Sequence, residues 1–237
     1  MSFMRRRSIL AAALAAPLAT AGAVGALQSP AQAATWYSTD RWGKWTDGAF
    51  TVNNHVWGSG VGAQSIWANS YSNWGVWADH PNTGGVKSYP HVSYQLGRDV
   101  WNMGNVSANT DVTVPTGSNL AYCTTYDVWG NGHDHEIMIW TQWHGAVGPI
   151  GSYVTDVNLG GQNWALYQGS NGANAVYSFL ARNHTTNTWV DITAHAQWLV
   201  ANGRMPRVTI GEIAFGFEIT SSAGGRDFNC NSYSLWT

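Results

Sequence analysis

An all-β sandwich with one short helix is the fold class this 237-residue sequence predicts, on three observations. Short β-prone runs follow one another closely, most with apolar and polar residues alternating at period two, and Gly or Asn punctuates them. The composition is rich in Gly (27), Trp (15) and Tyr (10), while charged residues make up only 10%. Helical spacing is confined to a single stretch.

The first 33 residues read as an export signal. "MSFMRRRSIL" is basic, the following Ala- and Gly-rich stretch is mildly apolar, and Ala31-Gln32-Ala33 is an A-x-A cleavage site. Pro17 and the small residues argue against a membrane anchor. Arg6-Arg7-Ser8-Ile9-Leu10 fits the twin-arginine export pattern, which points to a bacterial chain. Residues 34–237 form one domain with room for a substantial core.

Within that domain "GAFTVNNHVWG", "AQSIWANSY", "NWGVWADHP", "SYPHVSYQL", "DVTVPT" and "NLAYCTTYDVW" are successive strand candidates. "HEIMIWTQW", "SYVTDVNLGG", "QNWALYQGS" and "NAVYSFLARN" continue the series. "VDITAHAQWLVANGR" breaks it: Ile192, Ala196, Leu199 and Val200 recur at helical spacing, Asp191 or Thr193 can cap the start, and Gly203 suits the end. "VTIGEIAFGFEITSS" and "FNCNSYSLW" return to strands.

Charge excludes several partners. Removing the signal takes Arg5, Arg6 and Arg7, which leaves eight basic residues against 13 acidic ones and a net charge of −5 with His neutral. No basic patch argues for nucleic acid. Cys123 and Cys230 lie far apart and have no metal-ligand spacing; export permits a bridge between them, and the sequence leaves that open. Fifteen Trp exceed what a core of this size requires, so several should line a groove, where flat rings stack on sugar rings.

The chain has three glutamates, Glu136, Glu212 and Glu218. With "HEIMIW" as a strand, His135, Ile137 and Ile139 share the core face, and Glu136, Met138 and Trp140 share the other. In "IAFGFEITSS", Ile213, Phe215, Phe217 and Ile219 face the core. Ala214, Gly216, Glu218 and Thr220 face outward, so Glu218 stands in a row of small residues that a ligand can approach. Asp127 lies opposite Tyr126 and Val128, with Thr125 and Trp129. Two carboxyls on separate strands of one concave face suit glycoside hydrolysis, in which one attacks or stabilises the anomeric carbon and the other protonates the leaving oxygen. For a retaining reaction the two should converge to about 5–6 Å. Glu212 shares the parity of Glu218 but lies roughly 20 Å upstream along an extended strand, and is assigned to solubility.

From about Trp45 to Trp236 the sequence resembles glycoside hydrolase family 12, a family of secreted endo-β-1,4-glucanases and xyloglucanases. "TVNNHVWG", "VKSYP", "YDVW", "EIMIW", "GPIGS" with "QNWALYQGSNGANAVYSFLA", and "GFEITSSAGG" carry the resemblance, in the family's order. It implies a two-sheet β-jelly roll with a long cleft on its concave sheet and a retaining mechanism. By motif, Glu136 would be the nucleophile and Glu218 the acid/base. Asp127 would tune Glu136 by hydrogen bonding, and Met138 would pack near the reacting sugar. Asn54 and Trp57 would hold a sugar on the non-reducing side of the scissile bond. Trp140 has cleft-facing parity, with packing an equal alternative. After Glu218, Ile219-Thr220 replace the family's usual Pro and aromatic, which makes that rim smaller and more polar and leaves substrate preference open.

The expected activity is that of a secreted retaining endo-acting β-1,4-glucanase on cellulose-like chains, mixed-linkage glucan or xyloglucan. The alternatives are a non-catalytic glucan-binding jelly roll and a xylanase of similar architecture. The expected partner is the polysaccharide, met by a monomer. No cofactor, metal, nucleic acid or membrane partner is called for. His133, His135 and His144 cluster in sequence near Glu136. Strand parity puts the first two on the opposite face, so loop or rim positions are expected rather than a metal site.

Overall fold

The computed structural model describes residues 34–237; the expected export signal, residues 1–33, lies outside the described residues. Three short strands come first: β1 (Trp36–Ser38), β2 (Lys44–Asp47) and β3 (Phe50–Asn53). β4 (Ala63–Ser70), β5 (Asn73–Asp79), β6 (His91–Asp99) and β7 (Ser107–Thr113) follow. The centre of the chain forms β8 (Leu120–Gly130), β9 (His135–His144), β10 (Ser152–Leu159), β11 (Gln162–Ser170) and β12 (Ala175–Ala181). After β13 (Asn187–Asp191) and the helix α1 (Ile192–Ala201), β14 (Thr209–Ser222) and β15 (Arg226–Trp236) complete the domain.

Two sheets result. The six-stranded sheet has the order β1-β4-β5-β15-β7-β13, and the nine-stranded sheet has β10-β11-β12-β9-β8-β14-β6-β3-β2. The all-β sandwich is as expected. β1, β2 and β13 are too short, at three to five residues, to announce themselves by alternation.

Alternation decides which face each strand buries. Ile137 and Ile139 of β9, Tyr126 and Val128 of β8, and Ile213, Phe215, Phe217 and Ile219 of β14 all enter the core between the sheets. Aromatic contacts bridge the layers: Trp74 of β5 meets Phe217 of β14 with ring centroids 5.5 Å apart, and Tyr122 of β8 meets Phe228 of β15 edge-on at 5.0 Å. Each such ring contributes about 1.5–3 kcal/mol by burial. They fix the distance between the sheets and hence the position of the opposite, solvent-facing side of the nine-stranded sheet.

The helix starts where the sequence places it. Asp191 caps it by accepting from the Ala194 amide at 2.8 Å, and Gly203 follows its end in the left-handed region at φ 65°. Thr193, the other candidate cap, instead accepts from the Val106 amide at 2.8 Å and so ties the helix to the start of β7.

Candidate active site

β9, β8 and β14 are neighbours in the nine-stranded sheet, and each supplies one acid. Asp127 of the middle strand lies opposite Met138 on one side and Ala214 on the other. Glu136 pairs with Trp129, and Glu218 pairs with Cys123. The two glutamates are therefore displaced in opposite directions along β8, roughly 20 Å apart as measured along the strand. They nevertheless line one cavity of about 580 Å³, together with Asp127, Trp57, Met138 and Trp140. Glu136 and Glu218 thus reach one hollow from the two strands that flank β8.

Tyr89, His55, Trp129 and Asp127 also line a second cavity of about 580 Å³, which continues the trough toward Trp42, Lys44 and Glu212. Glu212 thus faces the trough, contrary to its assignment to solubility, and accepts from Gln95 Nε2 at 2.5 Å. The Trp-rich groove that the composition predicts is present: Trp42, Trp57, Trp129 and Trp140 all face the trough.

The three acids sit in different surroundings. Glu136 is 9% exposed. Burial raises its pKa, while a hydrogen bond from Asn174 Nδ2 (2.9 Å) and the charge of nearby His133 pull it back. Glu218 has no such helper: burial and then the charge of Glu136 push it up to about 7. Asp127 is raised well above the carboxylate range by burial, then by Glu136 and Glu218. Its own hydrogen bond comes from Thr125 Oγ1 at 3.3 Å, so its coupling to Glu136 runs through charge. Burial raises both glutamates, but only Glu136 has neighbours that oppose the rise, and such an asymmetry is what separates a nucleophile from an acid in acid-assisted substitution.

Met138 and Trp140 are almost fully buried and pack with Cys123 under the trough, and the indole Nε1 of Trp140 has no hydrogen-bond partner. Trp140 packs in this cluster and is also among the residues that line the cavity. Trp57 stands 48% exposed at the mouth.

Two further expectations need correction. Asn54 does not face the trough. It is fully buried, its amide donates to the Asp40 carbonyl at 2.7 Å, and its Oδ1 accepts from Gln64 at 2.8 Å. β3 ends at Asn53 and His55 takes a left-handed φ of 41°, so Asn53 and His55 line the trough while Asn54 turns inward. His133 is not opposite Glu136: it precedes β9, in a turn to which strand parity does not extend, and its ring meets Trp129 edge-on at 4.8 Å. Ile219 enters the core, as the alternation of β14 requires, so of the pair after Glu218 only Thr220 is left to the outward face. Cys123 and Cys230 are both free and buried, on strands of different sheets.

Asn174 is the main residue that sequence reading missed. It precedes β12, whose parallel pairing places Val176 beside Glu136. Asn171 Oδ1 accepts from the backbone N–H of Asn174 at 3.0 Å, and Ser170 donates to the Asn174 carbonyl at 2.9 Å, so the backbone that carries the side-chain amide to Glu136 is held at both its polar groups. The Gly- and Asn-rich "GSNGAN" marks a turn, but nothing local ties it to a glutamate 38 residues away. Tyr89 was also passed over; its hydroxyl donates to the Thr125 carbonyl at 3.3 Å in the trough floor.

Comparison with known proteins agrees with this geometry. The model of glycosyl hydrolase family 12 matches residues 38–236. A xyloglucan-specific endo-beta-1,4-glucanase A of Emericella nidulans is 34% identical over 178 residues, covering 68% of this chain and 74% of its own length. The solved xyloglucanase domain of NopAA, an effector of Sinorhizobium fredii bound to cellobiose, superposes with a TM-score of 0.80 at 34% identity, covering 85% of this chain and 98% of its own. Endoglucanase 3 of Trichoderma harzianum superposes with a TM-score of 0.76 at 29% identity, covering 85% and 96%. With the sandwich, the trough and the paired glutamates in place, the chain belongs to glycosyl hydrolase family 12.

Proposed function

We propose that this chain hydrolyses β-1,4-linked glucans within the polymer by a retaining double displacement, with Glu136 as nucleophile and Glu218 as acid/base. The observation that carries the reading is the pairing of two glutamates from different strands in one open trough, one of them protonated up to about pH 7. In the first step a Glu136 carboxylate oxygen attacks the anomeric carbon. Glu218 gives its proton to the departing glycosidic oxygen, and a glycosyl-enzyme ester forms. In the second step Glu218, now ionised, takes a proton from water, which attacks the same carbon and frees Glu136.

Asn174 keeps Glu136 oriented and favours its charged form. Burial, then the charges of Glu136 and Glu218, bias Asp127 toward its neutral form, which limits the negative charge beside the nucleophile. Trp57 offers a stacking face at the mouth, and Met138 packs beneath the reacting sugar. The trough runs on past Tyr89 and Trp129 into the second cavity, which suits cleavage inside a chain rather than at its end. Relatives that are xyloglucan-specific favour a branched glucan among the substrates. Residues 1–33 read as an export signal of the twin-arginine type, so the site of action is outside the cell.

The test is a panel of cellulose-derived glucan, mixed-linkage glucan, xyloglucan and xylan, with the first product's anomer followed by NMR. Release of β-configured ends from the glucans is expected. Initial α-configured ends would exclude double displacement, xylan as the better substrate would favour a xylanase, and binding without release would favour a non-catalytic glucan-binding protein.

A further inference from the structure

The six-stranded sheet carries aromatic rings on the face turned away from the core. Ile66, Ala68, Trp74 and Val76 point inward. Tyr37 of β1 and Trp77 of β5 point outward and remain 50% and 39% exposed. They flank β4, where Trp67 is the Cα partner of Tyr37 and Ser65 that of Trp77. Two strand spacings and a two-residue offset put their Cα atoms on the order of 12 Å apart, about the length of a disaccharide unit.

The rings are seated on glycines. A Cβ on Gly225 would lie 2.6 Å from the Trp77 ring, and one on Gly75 would lie 2.7 Å from the Trp67 ring. Both indoles therefore lie against bare backbone: Trp67 is covered, and Trp77 presents its ring to the groove. Between Tyr37 and Trp77 is a groove of about 330 Å³ that also exposes Thr39, Arg41 and Ser65.

This groove shares a wall with the catalytic trough. In the segment 41–42, Arg41 faces the groove and Trp42 faces the trough. In the segment 56–57, Val56 faces the groove and Trp57 the trough. The two segments are joined, since Val56 N donates to the Arg41 carbonyl at 2.9 Å and Arg41 Nε to the Val56 carbonyl at 3.0 Å. A polymer leaving the trough at its Trp57 end has one thin rim to cross before it meets Tyr37.

We propose that the Tyr37–Trp77 groove is an accessory binding site for the β-glucan chain, adjoining the catalytic trough and distinct from it. The occupant follows from the chemistry. Two rings set apart by about a disaccharide's length, with Val61 and Ala63 in the groove and the Thr39 and Ser65 hydroxyls and Arg41 guanidinium beside them, match the apolar faces and hydroxyl edges of a neutral sugar polymer, and the shared wall with the trough makes the polymer held there the occupant. The assignment rests on the glucanase reading above. Its role is to raise affinity for long chains through a second contact on the same polymer.

The test combines native gel retardation in soluble xyloglucan or mixed-linkage glucan with kinetics on the polymer and on a short chromogenic oligoglucoside. Tyr37→Ala with Trp77→Ala should lose retardation and raise polymer KM roughly tenfold, the size expected for removing stacked rings, while kcat/KM on the oligoglucoside stays unchanged. If Trp77→Ala unfolds the domain, Tyr37→Ala alone, on the exposed strand β1, should give a smaller loss in the same direction. Unchanged retardation and polymer KM in a folded variant would overturn the accessory site while leaving the glucanase reading intact. A wild-type protein that cleaves no glucan would overturn the glucanase reading, and the accessory site with it.

Discussion

The two sides of the trough carry the same residue in different surroundings. On the β9 side, Glu136 receives the Asn174 amide and feels the charge of His133, both of which favour its carboxylate. On the β14 side, Glu218 has no side-chain donor; burial and then the charge of Glu136 favour its acid form to about pH 7. Role is thus set by neighbours that reach in from other strands rather than by the glutamates' own sequence contexts.

The sharpest way to break the comparison is to neutralise each side in turn. Glu136→Gln keeps the shape and removes the attacking oxygen, so kcat should fall roughly 10⁴-fold or more with the melting temperature preserved. A smaller residue there should regain turnover with azide, and the glycosyl azide should have inverted configuration. Near-normal turnover of Glu136→Gln would remove the basis of the assignment. Glu218→Ala should cost roughly 10²–10⁴-fold on natural linkages. It should cost much less on aryl glucosides whose leaving group needs no proton, and the alkaline fall in kcat/KM near pH 7 should disappear. An equal loss on both substrates would argue against an acid role.

A gentler change tests the cause of the asymmetry. Asn174→Ala removes a donor that favours ionised Glu136, so the pKa of Glu136 should rise and the acid limb of the kcat/KM profile should move to higher pH, narrowing the bell. The accompanying loss is about tenfold, equivalent to about 1.4 kcal/mol. A uniform loss with no movement of the limb would mean that Asn174 only supports the loop.

The smallest effect is on stability. Glu218 has a higher pKa folded than unfolded, so its contribution is fully present below the unfolded value and is lost as pH rises toward about 7. Glu218→Gln escapes that loss and should melt a few degrees above wild type at pH 8, with a smaller difference at pH 4. A pH-independent difference would mean that Glu218 ionises freely in the folded protein.

The parts of the site legible in the sequence are those written in strand alternation. "EIMIW" and "AFGFEIT" each separate a core set from a trough set, and Ile137, Ile139, Phe215 and Phe217 all enter the core as that pattern requires. Parity fails where strands stop. Asn54 falls one residue beyond β3, before a left-handed His55, and His133 falls in a turn before β9. Asn174 was illegible for a different reason. Its contact depends on a parallel pairing of β12 with β9 across a long connection, and no local pattern encodes such a partner. The two cysteines could not be judged from spacing, because their strands belong to different layers.

The cavity around Glu136 and Glu218 holds three acids and no lysine or arginine among its lining residues. Such a hollow acts as an electrostatic filter: a neutral glucan enters without penalty, whereas a polyuronate would bring its own carboxylates beside acids whose ionisation is already disfavoured, with no cation to balance them. Acidic wall polymers would thus be turned away by charge before any hydroxyl is read.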